Sequence, residues 1–135
     1  MATKTIIKPA QAAPALGPYN HGVRVGELLF CAGQIPLDPE TGEITGADVA
    51  AQTERVIENI KAVLNVNAMT LEDVVKTTVF LTTMEDFAAM NAVYARHFSE
   101  PFPARSTVAV VALPRGAKVE IEVTAAKAAI NGSSE

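Results

Sequence analysis

The 135 residues carry a formal net charge of −4, are 49% apolar and 19% charged, and include five Phe, two Tyr and no Trp. That is one domain with a core of its own, and without a basic block or aromatic wealth it is a poor candidate for nucleic-acid binding. No apolar run nears the ~18 residues that cross a bilayer, Met1 to Pro9 lacks the apolar centre of a secretory signal, and one cysteine forbids an internal disulfide; a cytoplasmic protein away from membranes is expected.

In chain order, Thr3 to Lys8 reads as a first strand, and Pro9 to Pro18 as an Ala/Pro/Gly loop ending in Gly17-Pro18-Tyr19-Asn20-His21. Gly22 to Val25 and Leu28 to Ile35 read as two strands across a tight turn at Gly26-Glu27. Cys31, inside the second of these, suits a small buried thiol better than a nucleophile. Pro36 to Thr45 has the turn chemistry of a surface loop. Asp48 caps a helix predicted to run to about Asn65, its apolar face formed by Val49, Val56, Ile60, Val63 and Leu64. Val74 to Leu81, rich in Val and Thr, is the next strand. Thr83, followed by Glu85 and Asp86, opens a second helix with Phe87, Met90, Tyr94 and Phe98 on one side.

Pro101 and Pro103 end that helix, and Arg105 to about Ala112 follows as a strand whose apolar run, Val108 to Leu113, reads as buried. Leu113-Pro114-Arg115-Gly116 is a turn and Ala117 to Ala126 the last strand; Asn131 to Glu135 should be a disordered tail. The predicted order, β-β-β-α-β-α-β-β, is an α+β domain with a mixed sheet and both helices on one face. Along the last strand Val119, Ile121, Val123 and Ala125 alternate with Lys118, Glu120, Glu122 and Thr124. The apolar set belongs under the helices. The opposite face is left uncovered, which argues for self-association.

His21, His97 and Cys31 show no metal-ligand spacing, and the chain has no phosphate loop, dinucleotide fingerprint or nucleophile elbow. A site free of metal and cofactor is expected. His97 reads as a surface or packed histidine. Arg105 remains, at the mouth of an apolar run, together with Glu120 in mid-strand, Tyr19 in its loop and Gly33-Gln34 at a strand end. Its planar fork suits a carboxylate or phosphate. If the last two strands form a hairpin, the plainest reading of Arg105 and Glu120 is a cross-strand ion pair.

Gly17-Pro18-Tyr19, Cys31-Ala32-Gly33-Gln34-Ile35-Pro36, Val75 to Phe80, Asn91-Ala92-Val93-Tyr94, Phe102-Pro103-Ala104-Arg105-Ser106 and Val119-Glu120-Ile121-Glu122 follow one another in order. From Ile6 to Ala126 the chain resembles the Rid (YjgF) family of reactive-intermediate imine/enamine deaminases. The resemblance implies a chorismate-mutase-like fold, assembled as a homotrimer around a central barrel with active sites in the clefts between subunits. It implies hydrolysis of 2-iminobutanoate and 2-iminopropanoate, released by pyridoxal-phosphate enzymes, to 2-oxo acids and ammonia, without a cofactor. Carried across, Arg105 would hold the substrate carboxylate with help from the Thr107 backbone. Glu120 would activate water, kept ionised by the arginine beside it, and Tyr19, Gly33 and Asn91 would line the cleft.

Two positions depart from the family pattern. Thr107 stands where cysteine is common, and Asn20-His21 where Ser-Gln is common, which bears on substrate range. The resemblance also brings an endoribonuclease or translation-inhibitor alternative, and a non-catalytic module binding 2-oxo acids would need the same carboxylate-holding parts.

Overall fold

Gly26 takes φ +60, the left-handed backbone that a two-residue hairpin turn needs at its first central position, and joins β2 (Gly22–Val25) to β3 (Leu28–Gln34). The computed structural model describes residues 3–9, 15 and 17–127, so the expected disordered tail and most of the Pro9 to Pro18 loop lie outside the described residues. β1 (Lys4–Ile7) pairs antiparallel with β2, as β2 does with β3.

Asp48 accepts the Ala51 N–H at 2.9 Å and starts α1 (Val49–Val66), whose stripe Val56, Ile60, Val63 and Leu64 is fully buried. The helix ends where Asn67 N–H returns to the Leu64 carbonyl and Ala68 turns to φ 57. β4 (Val74–Leu81) has the bounds that its Val/Thr content predicted. Thr83 caps a single 3-10 turn rather than the α-helix itself, and α2 (Phe87–His97) continues from it. Met90, Val93, Tyr94 and the following Phe98 are buried against the core.

The six strands form one mixed sheet in the order β1-β2-β3-β6-β4-β5. β6 (Val119–Ala126) lies antiparallel to both β3 and β4, so β3 and β4 run parallel to each other with β6 between them. β5 (Ala104–Ala109) pairs parallel with β4 alone and forms the sheet edge, reached through α2. This overturns the hairpin reading of the last two strands. Val110 to Lys118, with its turn at Pro114–Gly116, is long enough to carry the chain past β4 into the middle of the sheet.

The buried-strand expectation for Val108 to Leu113 is also corrected. β5 stops at Ala109, Val108 is 44% exposed and Val111 wholly so. A continuous apolar run does not distinguish a strand covered on both faces from one at a sheet edge that the chain leaves open. The alternation along β6 holds: Val119, Ile121, Val123 and Ala125 lie under the helices, and Glu120, Glu122 and Thr124 face the other way. On that second face stand Phe30, Leu28 and Ile6, each more than two-fifths exposed, with Val108 beside Phe80.

Candidate active site

The register decides where the two charged candidates point. Arg105 pairs with Thr77, which is buried and hydrogen-bonded to the Tyr94 hydroxyl at 2.9 Å on the helix side. Glu120 pairs with Phe80, an odd number of positions further along β4, and therefore stands on the opposite face. Within one chain Arg105 and Glu120 do not meet. The predicted residues fall into two groups instead.

The first group is built on the sheet edge and α2. Arg105 donates from Nη1 to Asn91 Oδ1 at 2.7 Å, and its guanidinium lies 4.7 Å from the Tyr94 ring centre and 5.6 Å from that of Phe87. The aromatic stripe that packs α2 thus also holds the arginine flat. Among the described residues no carboxylate forms an ion pair with it, so a planar fork with five N–H donors spends one on Asn91. Two residues on, the buried Thr107 hydroxyl has no hydrogen-bond partner. Val110 donates its backbone N–H to Leu81 on β4, so strand alternation turns the Thr107 N–H, an odd number of positions back, toward the open edge.

The second group surrounds a cavity of about 420 Å³ whose walls include Tyr19, His21, Gly33, Gln34, Asn59 and Glu120. One extra residue in β3, between Cys31 and Gln34 opposite Val123 and Ile121, makes a bulge there. The bulge turns Gln34 inward, where its amide donates to the Ala32 carbonyl at 3.1 Å and lies 3.2 Å from His21 Nδ1. It also brings Gly33 beneath the Glu120 carboxylate so closely that a Cβ there would overlap Oε2. Any larger residue at 33 would have to displace the Glu120 carboxylate.

The Glu120 carboxyl is pushed above the ordinary glutamate range, first by burial and then by the neighbouring Glu122. The expected depression by an adjacent arginine is corrected accordingly: in one chain Arg105 lies across the sheet. Cys31 is buried and its thiol is pushed up to about 12, mainly by burial.

A larger concavity, about 870 Å³, opens elsewhere, between α1 and the end of α2, and none of the predicted site residues lines it. At its margin Glu54, Glu58 and His97 bring their ligand atoms within 4.8 Å of one another. Glu54 on α1 is already bonded to Arg96 at 2.7 Å and His97 at 2.8 Å on α2, which ties the two helices together, and Glu58 is taken by Lys61 of its own helix at 3.2 Å. Sequence spacing gave no sign of it, because Glu54 and His97 are 43 positions apart. Asn59 was missed as well. Its signal was an amide sitting beside Val56, Ile60 and Val63 on the buried stripe of α1, where it is 1% exposed.

The fold and the two groups define a class: a six-stranded α+β protein with an edge arginine held by Asn91 and two aromatic rings, and a partly desolvated carboxylate on the other face. The chain belongs to the Rid (YjgF) family; residues 10–127 match the family model described as Endoribonuclease L-PSP. It is 49% identical over 124 residues to a RutC family protein of Pyrococcus abyssi, covering 92% of this chain and 98% of the relative. It is 44% identical over 124 residues to the 2-iminobutanoate/2-iminopropanoate deaminase of Escherichia coli K12, covering 90% and 96%. The crystal structure of Escherichia coli TdcF with bound serine superposes with a TM-score of 0.87 at 42% identity, covering 92% of this chain and 99% of that one. No helix among the described residues is long and apolar enough to cross a membrane.

Proposed function

We propose that this protein hydrolyses small 2-imino acids to 2-oxo acids and ammonia, at sites assembled between copies of the chain in a homotrimer. One observation carries the reading: Arg105 and Glu120 lie on opposite faces of the same sheet and, among the described residues, the fork has no carboxylate and the carboxylate no cation. A second copy seated on the uncovered face would complete both. The relative named 2-iminobutanoate/2-iminopropanoate deaminase supports the substrate class, and the relative with bound serine supports a small carboxylate ligand.

In this reading the Arg105 fork and the Thr107 N–H hold the substrate carboxylate, while Asn91, Tyr94 and Phe87 fix the guanidinium. Glu120 accepts a proton from water as the water oxygen bonds to the imine carbon. The C=N π pair moves to nitrogen, which takes up a proton. The tetrahedral adduct then loses ammonia as the carbonyl forms, so water and imine become oxo acid and ammonia. A carboxyl whose pKa is raised by burial is suited both to take that proton and to return it. The imine carbon is already electrophilic, so the chemistry asks for positioning and a base. Tyr19 and Gly33 line the cleft on the Glu120 side.

Generating a 2-imino acid in situ and following oxo-acid release tests the reading. Arg105→Ala should weaken 2-oxo acid binding by roughly 30-fold or more and abolish turnover, and Arg105→Lys should fail largely as well, because a point charge cannot reproduce the fork. Glu120→Gln should bind 2-oxo acids normally while turnover falls by roughly 10²- to 10⁴-fold. Full turnover in folded Arg105→Ala would sink the proposal. Binding without turnover in the wild type would identify a 2-oxo-acid-binding module, and RNA cleavage by rigorously purified protein would favour the ribonuclease alternative.

A further inference from the structure

Asn59 is the one amide on the buried face of α1 that reaches the candidate site. Its Nδ2 donates to the carbonyls of Ile35 at 3.2 Å and Leu37 at 3.0 Å. Its Oδ1 accepts from Arg55 Nε at 3.2 Å and Nη2 at 3.0 Å, which fixes the amide's orientation from the other end. The carbonyls it holds belong to a tight turn in which the Leu37 N–H also returns to the Ile35 carbonyl at 2.7 Å. That turn follows directly on the β3 bulge, whose Gly33 lies under the Glu120 carboxylate. Asn59, Ile35, Leu37, Gly33 and Glu120 all line the 420 Å³ cavity.

We propose that Asn59 is a positioning residue of this site: from α1 it pins the Ile35–Leu37 turn, and through that turn the Gly33 seat that fixes the Glu120 carboxylate. The inference rests on the deaminase reading for its effect on turnover, but its geometry stands within one chain. A buried polar side chain serving only the fold would be replaceable wherever its partners found other donors. Here the partners are the backbone of the very segment whose placement sets the general base. A displacement of about 1 Å at such a group costs on the order of 10²-fold in rate. The Arg105 group is built from β5 and α2 and shares none of these bonds. Loss of Asn59 therefore separates the two halves of the site: the base is disturbed and the carboxylate anchor is not.

Asn59→Asp preserves volume and the Arg55 contacts but sets carboxylate oxygens against two carbonyls; Asn59→Ala removes both donors. Val56→Ala, a cavity in the same helix away from the turn, supplies a matched loss of stability. Both Asn59 variants should lose roughly 10- to 100-fold in kcat while 2-oxo acid affinity stays within about threefold. Val56→Ala should keep kcat. The Glu120 carboxyl, titrated by carbon NMR in the intact protein, should move away from its wild-type value in the Asn59 variants and keep it in Val56→Ala. Equal losses of kcat and affinity, a kcat loss no larger than that of Val56→Ala, or an unmoved Glu120 titration would overturn the proposal. So would failure of both Asn59 variants to fold, which would make the residue structural. If the wild type hydrolyses no imino acid, the deaminase reading fails while the Glu120 titration still decides the role of Asn59.

Discussion

The two faces of the one sheet differ more than any two separate elements do. On the helix side, Leu29, Val79, Leu81, Val119 and Ile121 are fully buried, and Thr77 beside them is bonded to Tyr94. On the other side, Phe30 is 47% exposed, Leu28 42% and Val108 44%, with Glu120 and Glu122 among them. Both faces are apolar, yet only one is closed by the chain itself. A single strand, β6, supplies the core with its odd-numbered residues and the candidate site with its even-numbered ones. The comparison teaches that Glu120 stands on the face that the chain itself leaves open.

Breaking the uncovered face should have the largest effect. Phe30→Glu should leave the fold of each chain intact, convert the assembly to monomers in equilibrium sedimentation and take turnover with it, because charge is costly to bury against an apolar face. A wild-type monomer near 14.2 kDa at micromolar concentration would remove the contrast altogether. On the closed face the expected effect is on folding itself. Ile121→Ala should cost about 2–5 kcal/mol in denaturant unfolding by leaving a cavity under the helices.

The Glu120 carboxyl sharpens the comparison through pH. Its folded value lies above the usual one, so it contributes stability that is fully present below the ordinary glutamate range and is lost as pH rises through the raised value. In the Phe30→Glu monomer, Glu120→Gln should therefore raise the melting temperature at pH 7–8, and the advantage should vanish below about pH 4. An unchanged melting temperature across that range would mean the carboxyl is not desolvated. The smallest effect belongs to the surface on the helix side. Glu54 is held below its usual range chiefly by Arg96 and then by His97, so its contribution is present above that range and lost as pH falls. Glu54→Gln should cost at most ~1 kcal/mol at neutral pH, and less in about 1 M salt.

Much of this was legible from residues alone. Asp48 announced α1, the Val/Thr content of Val74–Leu81 announced β4, and the alternation along β6 announced which side chains go under the helices. These are local signals, since a cap, a propensity and a period of two each lie within a few residues of the structure they specify. Tyr19, Gly33, Asn91, Arg105, Thr107 and Glu120 could be named together as candidates only through the family resemblance.

Their grouping was not legible. Strand order is fixed by long-range pairing, and the insertion of β6 between β3 and β4 placed Arg105 and Glu120 on opposite faces instead of side by side. The β3 bulge shifted register by one residue, enough to turn Gln34 inward and bring Gly33 under Glu120, and nothing in the run Cys31-Ala32-Gly33-Gln34 marks where the extra residue falls. Asn59 needed a partner more than twenty positions away to show its purpose. The sequence by itself determined the elements, their buried faces and the inventory of reactive groups, because those follow from nearest neighbours. Tertiary structure alone decided which groups share a cavity and which face the chain leaves uncovered, because both depend on hydrogen-bond ladders between strands far apart in the chain.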